Sequence, residues 1–500
     1  MLMDQNINKS KREYLLSLLS QFKFGIEIEE HRVQLSTGTL SKQTHPKNFG
    51  PRKFNSHFQT DFSESQEELI TAPHPSSEKA LEQLYELQMI LAQSLQNDEL
   101  IWPLSMPPHL NSNDINYLLT HFERSWYQEY RDYLIEKYGP YQHIMAGVHV
   151  SVSVPDELIN WFHSQNKKLS HVEAKNLLYF QIAQHIVAYR WVFTFLFGAG
   201  PLSENEDDGL PRVGSPDYKL VRSWRSSNLG FSNRPDEKVY YENFENYINQ
   251  LETFVKNNVF YDQSEFYGPV RLKGNGKISD LKTFGTNYLE FRIFDIDPYS
   301  TAGISQNALD TLHLLIMDAV INPKIWTAEE LYKTDIWNNT VALDHPSDRI
   351  EDDEIHKAFV HLIERLHRLS SDMTESMQQR FKAAIAYVVE SQYSSELTVS
   401  GKLQNEIKHG SLSNFALNRG KINLTNLRND FNHFIEQNES INRIYILALQ
   451  LGIETRKLNQ HQLYVKFNNK SGIVNSRDDL LKFIDLSGYK IKINNLTESI

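Results

Sequence analysis

Glu27 and Glu29 stand two residues apart in F-G-I-E-I-E-E-H-R-V (24–33). On a strand both project to one face while Ile26 and Ile28 project to the other. Carboxylates crowded on one face repel each other and stay ionised only when cations neutralise them. The plainer alternative is a solvated strand face with isoleucine on its core side. The segment H-F-Q-T-D-F-S-E-S-Q-E-E-L-I-T (57–71) adds Asp61 and Glu68, with Glu64 and Glu67 beside them. His149 shares a strand face with Ser151 and Ser153, opposite Val148, Val150 and Val152. A lone strand histidine is more often a hydrogen-bonded core residue than a ligand. In Y-L-E-F-R-I-F-D-I-D-P, Glu290 and Arg292 share a face opposite Phe291 and Ile293, where a cross-strand ion pair would also explain them. Taken together, these pieces describe a sheet face of carboxylates with one imidazole and an arginine. Such donors suit Mg²⁺ or Mn²⁺, and cations lining a cleft beside an arginine suit phosphoryl transfer.

The elements that must position these residues can be read from periodicity. Residues 8–21 predict a helix, 24–33 a strand, 36–55 a polar loop, 57–71 a strand–turn–strand unit and 76–96 a helix. A long amphipathic helix is expected over 112–138, with Phe122, Trp126, Tyr130 and Leu134 on one face. A strand is expected at 144–154, a long helix at 172–197, a loop at 203–217, a helix at 238–258, and strands at 267–274 and 287–297. Residues 302–453 read as almost wholly helical, followed by strand-like L-Y-V-K-F and Y-K-I-K-I with a helix between. Helices and strands do not alternate regularly, which argues against a doubly wound parallel sheet and for an α+β fold with a mostly antiparallel sheet wrapped by helices.

Composition narrows the function. Lys and Arg total 51 against 63 Asp and Glu, a net charge of −12 in 500 residues, so no general nucleic-acid binder is expected. The absence of cysteine excludes disulfides, thiolate-bound metals and a cysteine nucleophile. The amino terminus has no apolar h-region, so no signal peptide is read there. The most apolar stretch, 186–200, is short for a membrane span and contains Arg190, which predicts a core helix. A soluble, cytoplasmic protein is expected. The G-N-G-K at 274–277 is not a phosphate-binding loop and reads as a turn, and no G-x-S-x-G or H-E-x-x-H occurs.

The motifs F-G-I-E-I-E-E-H-R-V, T-D-F-S-E-S-Q-E-E-L-I-T, W-P-L-S-M-P-P, G-V-H, R-S-S-N-L-G-F-S-N, E-F-Y-G-P-V-R and Y-L-E-F-R-I-F-D-I-D-P-Y-S occur in this order between about residues 22 and 300. In this the chain resembles the bacterial glutamate–cysteine ligases, most nearly the ligase half of the bifunctional glutathione-synthesising enzymes. The resemblance implies a glutamine-synthetase-like fold whose bent antiparallel sheet forms a funnel. It also implies an ADP-forming reaction in which ATP phosphorylates the γ-carboxylate of glutamate and the amine of cysteine attacks the γ-glutamyl phosphate. Glu27, Glu29, Asp61, Glu68, His149 and Glu290 would hold two or three Mg²⁺ or Mn²⁺ ions. Arg292 would sit on the transferring phosphate, with Arg225 and Arg131 on substrate carboxylates or phosphate. Tyr130, Leu134, His143, Phe62, Phe231 and Ser151 would contact substrate, and Arg271 and Lys273 the nucleotide.

Three positions depart from the family pattern: His143 replaces a glutamine, His149–Ser153 replaces H-Y-N-F-S, and Phe231 replaces a tyrosine. They leave open an acceptor other than cysteine, beside neutral drift; a non-catalytic relative that kept the fold is the remaining alternative. Residues 1–435 are expected to form the catalytic domain, in a monomer or homodimer. Residues 436–500 resemble the start of an ATP-grasp half too short to be a second ligase, so glutathione itself is not an expected product.

Overall fold

The computed structural model of the protein describes residues 9–211 and 218–486. Its main sheet is built on β1 (Lys23–Gln34), a 12-residue strand that is core on one face and charged on the other. Six further strands complete it: β2 (Phe58–Thr60), β3 (Gln66–Ile70), β4 (Glu99–Trp102), β5 (Val148–Ser153), β6 (Val270–Lys273) and β7 (Tyr288–Phe294). They run in the order β2-β3-β1-β5-β7-β6, with β4 also on β1, and every ladder is antiparallel. Along one edge β1 pairs with β5 through residues 23–28 and with β4 through 31–34, so β4 takes over where β5 departs. The fold is therefore α+β with an antiparallel sheet, as the irregular alternation of elements implies.

One sheet face carries Phe24, Ile26, Ile28, Val148, Val150, Val152, Leu289, Phe291 and Ile293, all buried. Fully burying such side chains stabilises by roughly 1.5–3 kcal/mol each. Helices Ser77–Ser94, His171–Ala188, Arg190–Phe197 and Gln306–Ile321 cover this face. Helix Ser413–Gln437 packs on β4 through Gly420, where a Cβ would run into the Ile101 carbonyl.

Several expectations are corrected. The helix expected over 112–138 is two helices, Ser112–Thr120 and Gln128–Tyr138. Between them the chain docks on the β2–β3 hairpin: Glu123 N–H donates to Glu64 Oε1 at 2.7 Å, and Arg124 donates to the Thr60 carbonyl. A backbone N–H committed to a buried carboxylate cannot continue the helical ladder. The helix expected over 172–197 breaks at Tyr189, whose backbone (φ −106°, ψ 14°) leaves the helical basin. That break carries Arg190 to Asp335, 2.7 Å away, at the edge of the apolar core. The expected strand at 144–154 begins only at Val148, after a 3₁₀ turn at Gln142–Ile144. The 238–258 helix is shortened to Phe244–Lys256.

Beyond helix Glu439–Gln450, β8 (Glu454–Asn459), β9 (Gln462–Phe467) and β10 (Lys470–Val474) form a meander, followed by helix Arg477–Leu486. Only L-Y-V-K-F was foreseen as a strand there; Y-K-I-K-I and residues 212–217 of the expected loop lie outside the described residues. Asn55 Nδ2 donates to the Gln450 carbonyl at 2.8 Å and Tyr445 OH to Glu86 at 2.6 Å, tying this region to the main core. No helix among the described residues is long and apolar enough to cross a membrane.

The far end of β1 is held by a buried charge network. Arg32 is fully buried, 2.8 Å from Glu67 and 2.7 Å from Glu99, and donates to the carbonyls of Gln43 and Glu64. Removing the cation strands two buried carboxylates, which costs about 3–5 kcal/mol. Arg32→Met is therefore expected to lower the denaturation midpoint strongly, and adding Glu99→Gln to restore part of the loss. A melting temperature for Arg32→Met within a degree or two of the parent would contradict this.

Candidate active site

Register brings the predicted carboxylates together. Glu29 lies opposite Glu68 across β1–β3, Glu27 opposite His149 across β1–β5, and Ser151 opposite Glu290 across β5–β7. Arg271 then faces Glu290 from β6, so one face reads from Glu68 through Glu29, Glu27 and His149 to Glu290, Arg292 and Arg271. Asp61 joins from the β2–β3 turn, where its N–H donates to the Gln66 carbonyl. Glu30, the next residue along β1, points to the opposite side, where burial pushes its carboxyl up to about 8 and Gln88 donates to it.

The two ends of this face differ in charge balance. Burial, and then the Asp61 charge, push Glu29 up to about 8. Burial also raises Asp61, and burial together with Glu27, Asp61 and Glu29 drives Glu68 well above the usual carboxylate range. Glu290 is the reverse case. Burial opposes its ionisation, yet Arg271, Arg292 and Lys273 outweigh it and hold the carboxyl well below the ordinary value. Arg292 Nη1 lies 2.8 Å from Glu290 and Lys273 Nζ 2.7 Å from its other oxygen.

Glu27, Glu29 and His149 each offer a ligand atom, all within 4.8 Å of one another. His149 Nδ1 is 2.6 Å from Glu27 Oε1, and burial, then the Arg292 charge, push its pKa down to about 4, so the ring is neutral at pH 7. With the proton on Nδ1 toward Glu27, the Nε2 lone pair is left free. Nε2 is buried, 3.7 Å from Glu29, and finds no hydrogen-bond partner among the described residues. A lone pair beside carboxylates that resist joint ionisation is what a hard divalent cation would satisfy.

Close packing places the arginines expected on the substrate side. Arg225 lies where a Cβ on Gly147 would fall, so the glycine of G-V-H makes room for the guanidinium. Its Nη1 donates to the Phe294 carbonyl and lies 3.5 Å from Asp295. The R-S-S-N-L-G-F loop folds back at Gly230 and sets the Phe231 ring beside both guanidiniums, 5.9 Å from Arg225 and 5.6 Å from Arg292. Arg131 braces the hairpin through the Phe62 and Leu118 carbonyls, while its buried Nη1 has no partner among the described residues. Arg271 is largely spent on the carbonyls of Phe266 and Ser264.

His143 sits among Phe62, Tyr138, Phe231 and Tyr267, with ring centroids 5.1–5.9 Å away. Burial pushes it down to about 3, so it is neutral, and its Nε2 is 2.7 Å from Tyr267 OH. Leu134 and Tyr130 belong to the same apolar group. The structure does not bring Ser151 there: it is level with Gly25 and Glu290 on the carboxylate face. Sequence reasoning missed Tyr267, although it lies inside E-F-Y-G-P-V-R, and Arg124, whose charge opposes the rise at Asp61 and Glu68. Glu64 and Glu67 bind Arg52 and Arg32 instead of joining the face.

A raised carboxyl destabilises the metal-free fold as it ionises. Glu29 titrates near 4.5 when unfolded and near 8 when folded, so the folded chain holds the extra proton in that window. Its contribution is full below the lower value and lost as pH rises through the upper one. The melting temperature of the metal-free chain is expected to fall between about pH 6 and 8.5, and less steeply in Glu29→Gln. Mg²⁺ or Mn²⁺ should raise it more at the higher pH; equal shifts at both would contradict cation binding by these carboxylates.

Comparison with known proteins places the chain. The sequence pattern of the glutamate–cysteine ligase family matches residues 7–341. The glutathione biosynthesis bifunctional protein GshAB of Streptococcus mutans is 34% identical over 408 residues, covering 81% of this chain and 52% of that protein. The protein of the same name from Enterococcus faecalis is 31% identical over 471 residues, 92% of this chain and 60% of that one. The chain thus spans about half the length of the curated relatives it matches. Among solved structures, a bifunctional glutathione synthetase from Pasteurella multocida superposes with a TM-score of 0.83 at 27% identity, over 93% of this chain and 61% of that one. A glutamate–cysteine ligase from Francisella tularensis, solved with AMP, shares the fold with a TM-score of 0.73 at 22% identity, over 86% and 92% of the chains. With the family pattern spanning more than half of its length, this chain belongs to the glutamate–cysteine ligase family.

Proposed function

We propose that the chain is an ADP-forming ligase that joins the γ-carboxylate of glutamate to an amine, cysteine before others. The observation that carries this reading is the single sheet face on which Glu27, Glu29 and His149 converge beside the Glu290–Arg292 pair. In this reading a γ-carboxylate oxygen of glutamate attacks the γ-phosphorus of ATP and ADP departs. The amine nitrogen then attacks the acyl carbon of γ-glutamyl phosphate, phosphate leaves and the nitrogen loses a proton. Two or three Mg²⁺ or Mn²⁺ ions, held by Glu27, Glu29, Asp61, Glu68, His149 and Glu290, would neutralise phosphate charge. Arg292, oriented by Glu290, presents a guanidinium where charge develops on the transferred group, and buried Arg225 holds an anion beside it.

Turnover tests the reading directly. ADP and phosphate should form only with glutamate, an amine and Mg²⁺ together. Glu27→Gln should lower kcat by roughly a hundredfold or more, since several kcal/mol of charge stabilisation depend on the cation site. Arg292→Lys should cost roughly 10²–10³-fold in kcat with little change in fold. AMP as product, or no glutamate-dependent turnover with any amine, would overturn the assignment and favour a non-catalytic relative.

A second reading, of a different acceptor, is favoured by His143. A neutral imidazole boxed by four rings adds no charge of its own to the region around Phe62, Leu134 and Phe231, where Arg131 lies over Phe62 and Arg225 and Arg292 lie beside Phe231. Such a pocket suits an uncharged side chain, and an apolar wall discriminates weakly between neutral ones. Ranked by kcat/KM at fixed ATP and glutamate, cysteine should lead, with lysine and aspartate at least about tenfold behind. Another small amine in front would keep the activated glutamate and change the product. Phe231→Tyr with His143→Gln should then raise relative activity with cysteine; an unchanged ranking would remove both positions from acceptor choice.

A further inference from the structure

Arg225 and Arg292 line a second space besides the carboxylate face. A cavity of about 270 Å³ lies between the loop following Arg225, helix Arg190–Phe197 and helix Ala328–Leu343. Its deep part is formed by the buried guanidiniums and by Thr194, and its outer part by the half-exposed Lys238 and Asp335. Four cations line it, Arg190, Arg225, Lys238 and Arg292, against one lining carboxylate, Asp335, while Asp295 and Glu290 lie behind the two deep guanidiniums. In a chain of net charge −12 this is a local inversion of sign.

The walls are fixed by hydrogen bonds, and the mouth is held by half-exposed charges. Thr194 donates to Asn338 Oδ1 at 2.8 Å, Asn338 Nδ2 to the Ser226 carbonyl at 3.0 Å, and Asn228 N–H to Asn339 Oδ1 at 2.9 Å. At the mouth Asp335 binds both Arg190 and Lys238, each at 2.7 Å. Such half-exposed pairs can open to a competing anion, because water and salt still screen them in part.

The two approaches to Arg292 therefore have opposite electrostatic character. The face bearing Glu27, Glu29, Asp61 and Glu68 meets a free carboxylate with further carboxyl groups, whereas the cavity draws one inward to two guanidiniums. We propose that this cavity is the entry vestibule for the anionic amino-acid substrate, with Asp335 as its latch, while the nucleotide and its cations approach over the carboxylate face. The proposal rests on the ligase reading for the identity of the anion. A volume of about 270 Å³ admits an amino acid of the size of glutamate.

Charge changes at the mouth test it without touching the reacting centre. Binding of L-glutamate, of inorganic phosphate and of ATP with Mg²⁺ is measured by calorimetry on the full chain and on Asp335→Asn and Lys238→Glu. Asp335→Asn frees two cations and should lower the Kd for glutamate, and Lys238→Glu should raise it, each by roughly three- to tenfold, with the Kd for ATP unchanged. Simple loosening of the mouth would move both variants in the same direction. Glutamate affinities that are unchanged or shifted alike overturn the vestibule, as does a response confined to phosphate, which would make the cavity an exit. Glutamate-dependent turnover is measured alongside. Its absence in the unaltered chain overturns the ligase reading, whereas opposite shifts in glutamate affinity would still support an anionic amino-acid site.

Discussion

Everything at the site depends on the alternation of β1. Phe24, Ile26 and Ile28 are buried on one side, and a slip of one residue would exchange them for Glu27 and Glu29. The apolar face thus forces two carboxylates toward Glu68 and His149, whatever their mutual repulsion. Hydrophobic burial stabilises the register, and the register concentrates negative charge. The rest of the sheet compensates from its far side: Glu290 is enclosed by Arg271, Lys273 and Arg292, and Arg292 Nη1 reaches to 3.1 Å from His149. Across five strands the face passes from carboxylates that resist ionisation to one that cannot easily be protonated.

The arginines show how little freedom this leaves. Arg131 and Arg271 each donate from Nε and Nη2 to main-chain carbonyls, so the loops at Phe62 and Phe266 are positioned by the same groups that face the site. Arg225 needs Gly147 beneath it and Gly230 to turn its own loop. Movement of any of these loops shifts a guanidinium, and with it the geometry offered to an anion.

Much of this face was legible because a strand has a period of two. I-E-I-E, V-H-V-S-V-S and L-E-F-R-I-F each announce which side chains share a side, and order along the chain sufficed to group them. What periodicity could not supply was the partner of each polar group. Residues 121–124 leave the helix because Glu64 takes the N–H of Glu123, a contact set by tertiary structure. Glu30, Glu64 and Glu67 resemble their neighbours in type, yet turn to Gln88, Arg52 and Arg32. The family resemblance groups Ser151 with His143, but the turn before Val148 and the extended run of β5 separate them. β8 and β10 carry too few apolar residues to signal a strand before their neighbours pair with them. The cavity behind Phe231 draws on segments from Val187 to Asn339 and has no local signature at all.

The edge that β1 shares between β5 and β4 also governs how the chain is made. β4 is itself distant in sequence, pairing His31 with Trp102, Glu27 meets His149 across 122 residues, and β7 must still arrive before β5 is flanked on both sides. A ribosome delivering residues from the amino terminus therefore exposes β1 with its isoleucines uncovered and one edge half-paired, long before Phe294 emerges. Helix Ser77–Ser94 packs on β1 early and shields part of that surface in the interval. The crowded carboxylates then serve a second purpose during synthesis: charge on the open face discourages the strand from adding to another copy of itself before its proper neighbours exist.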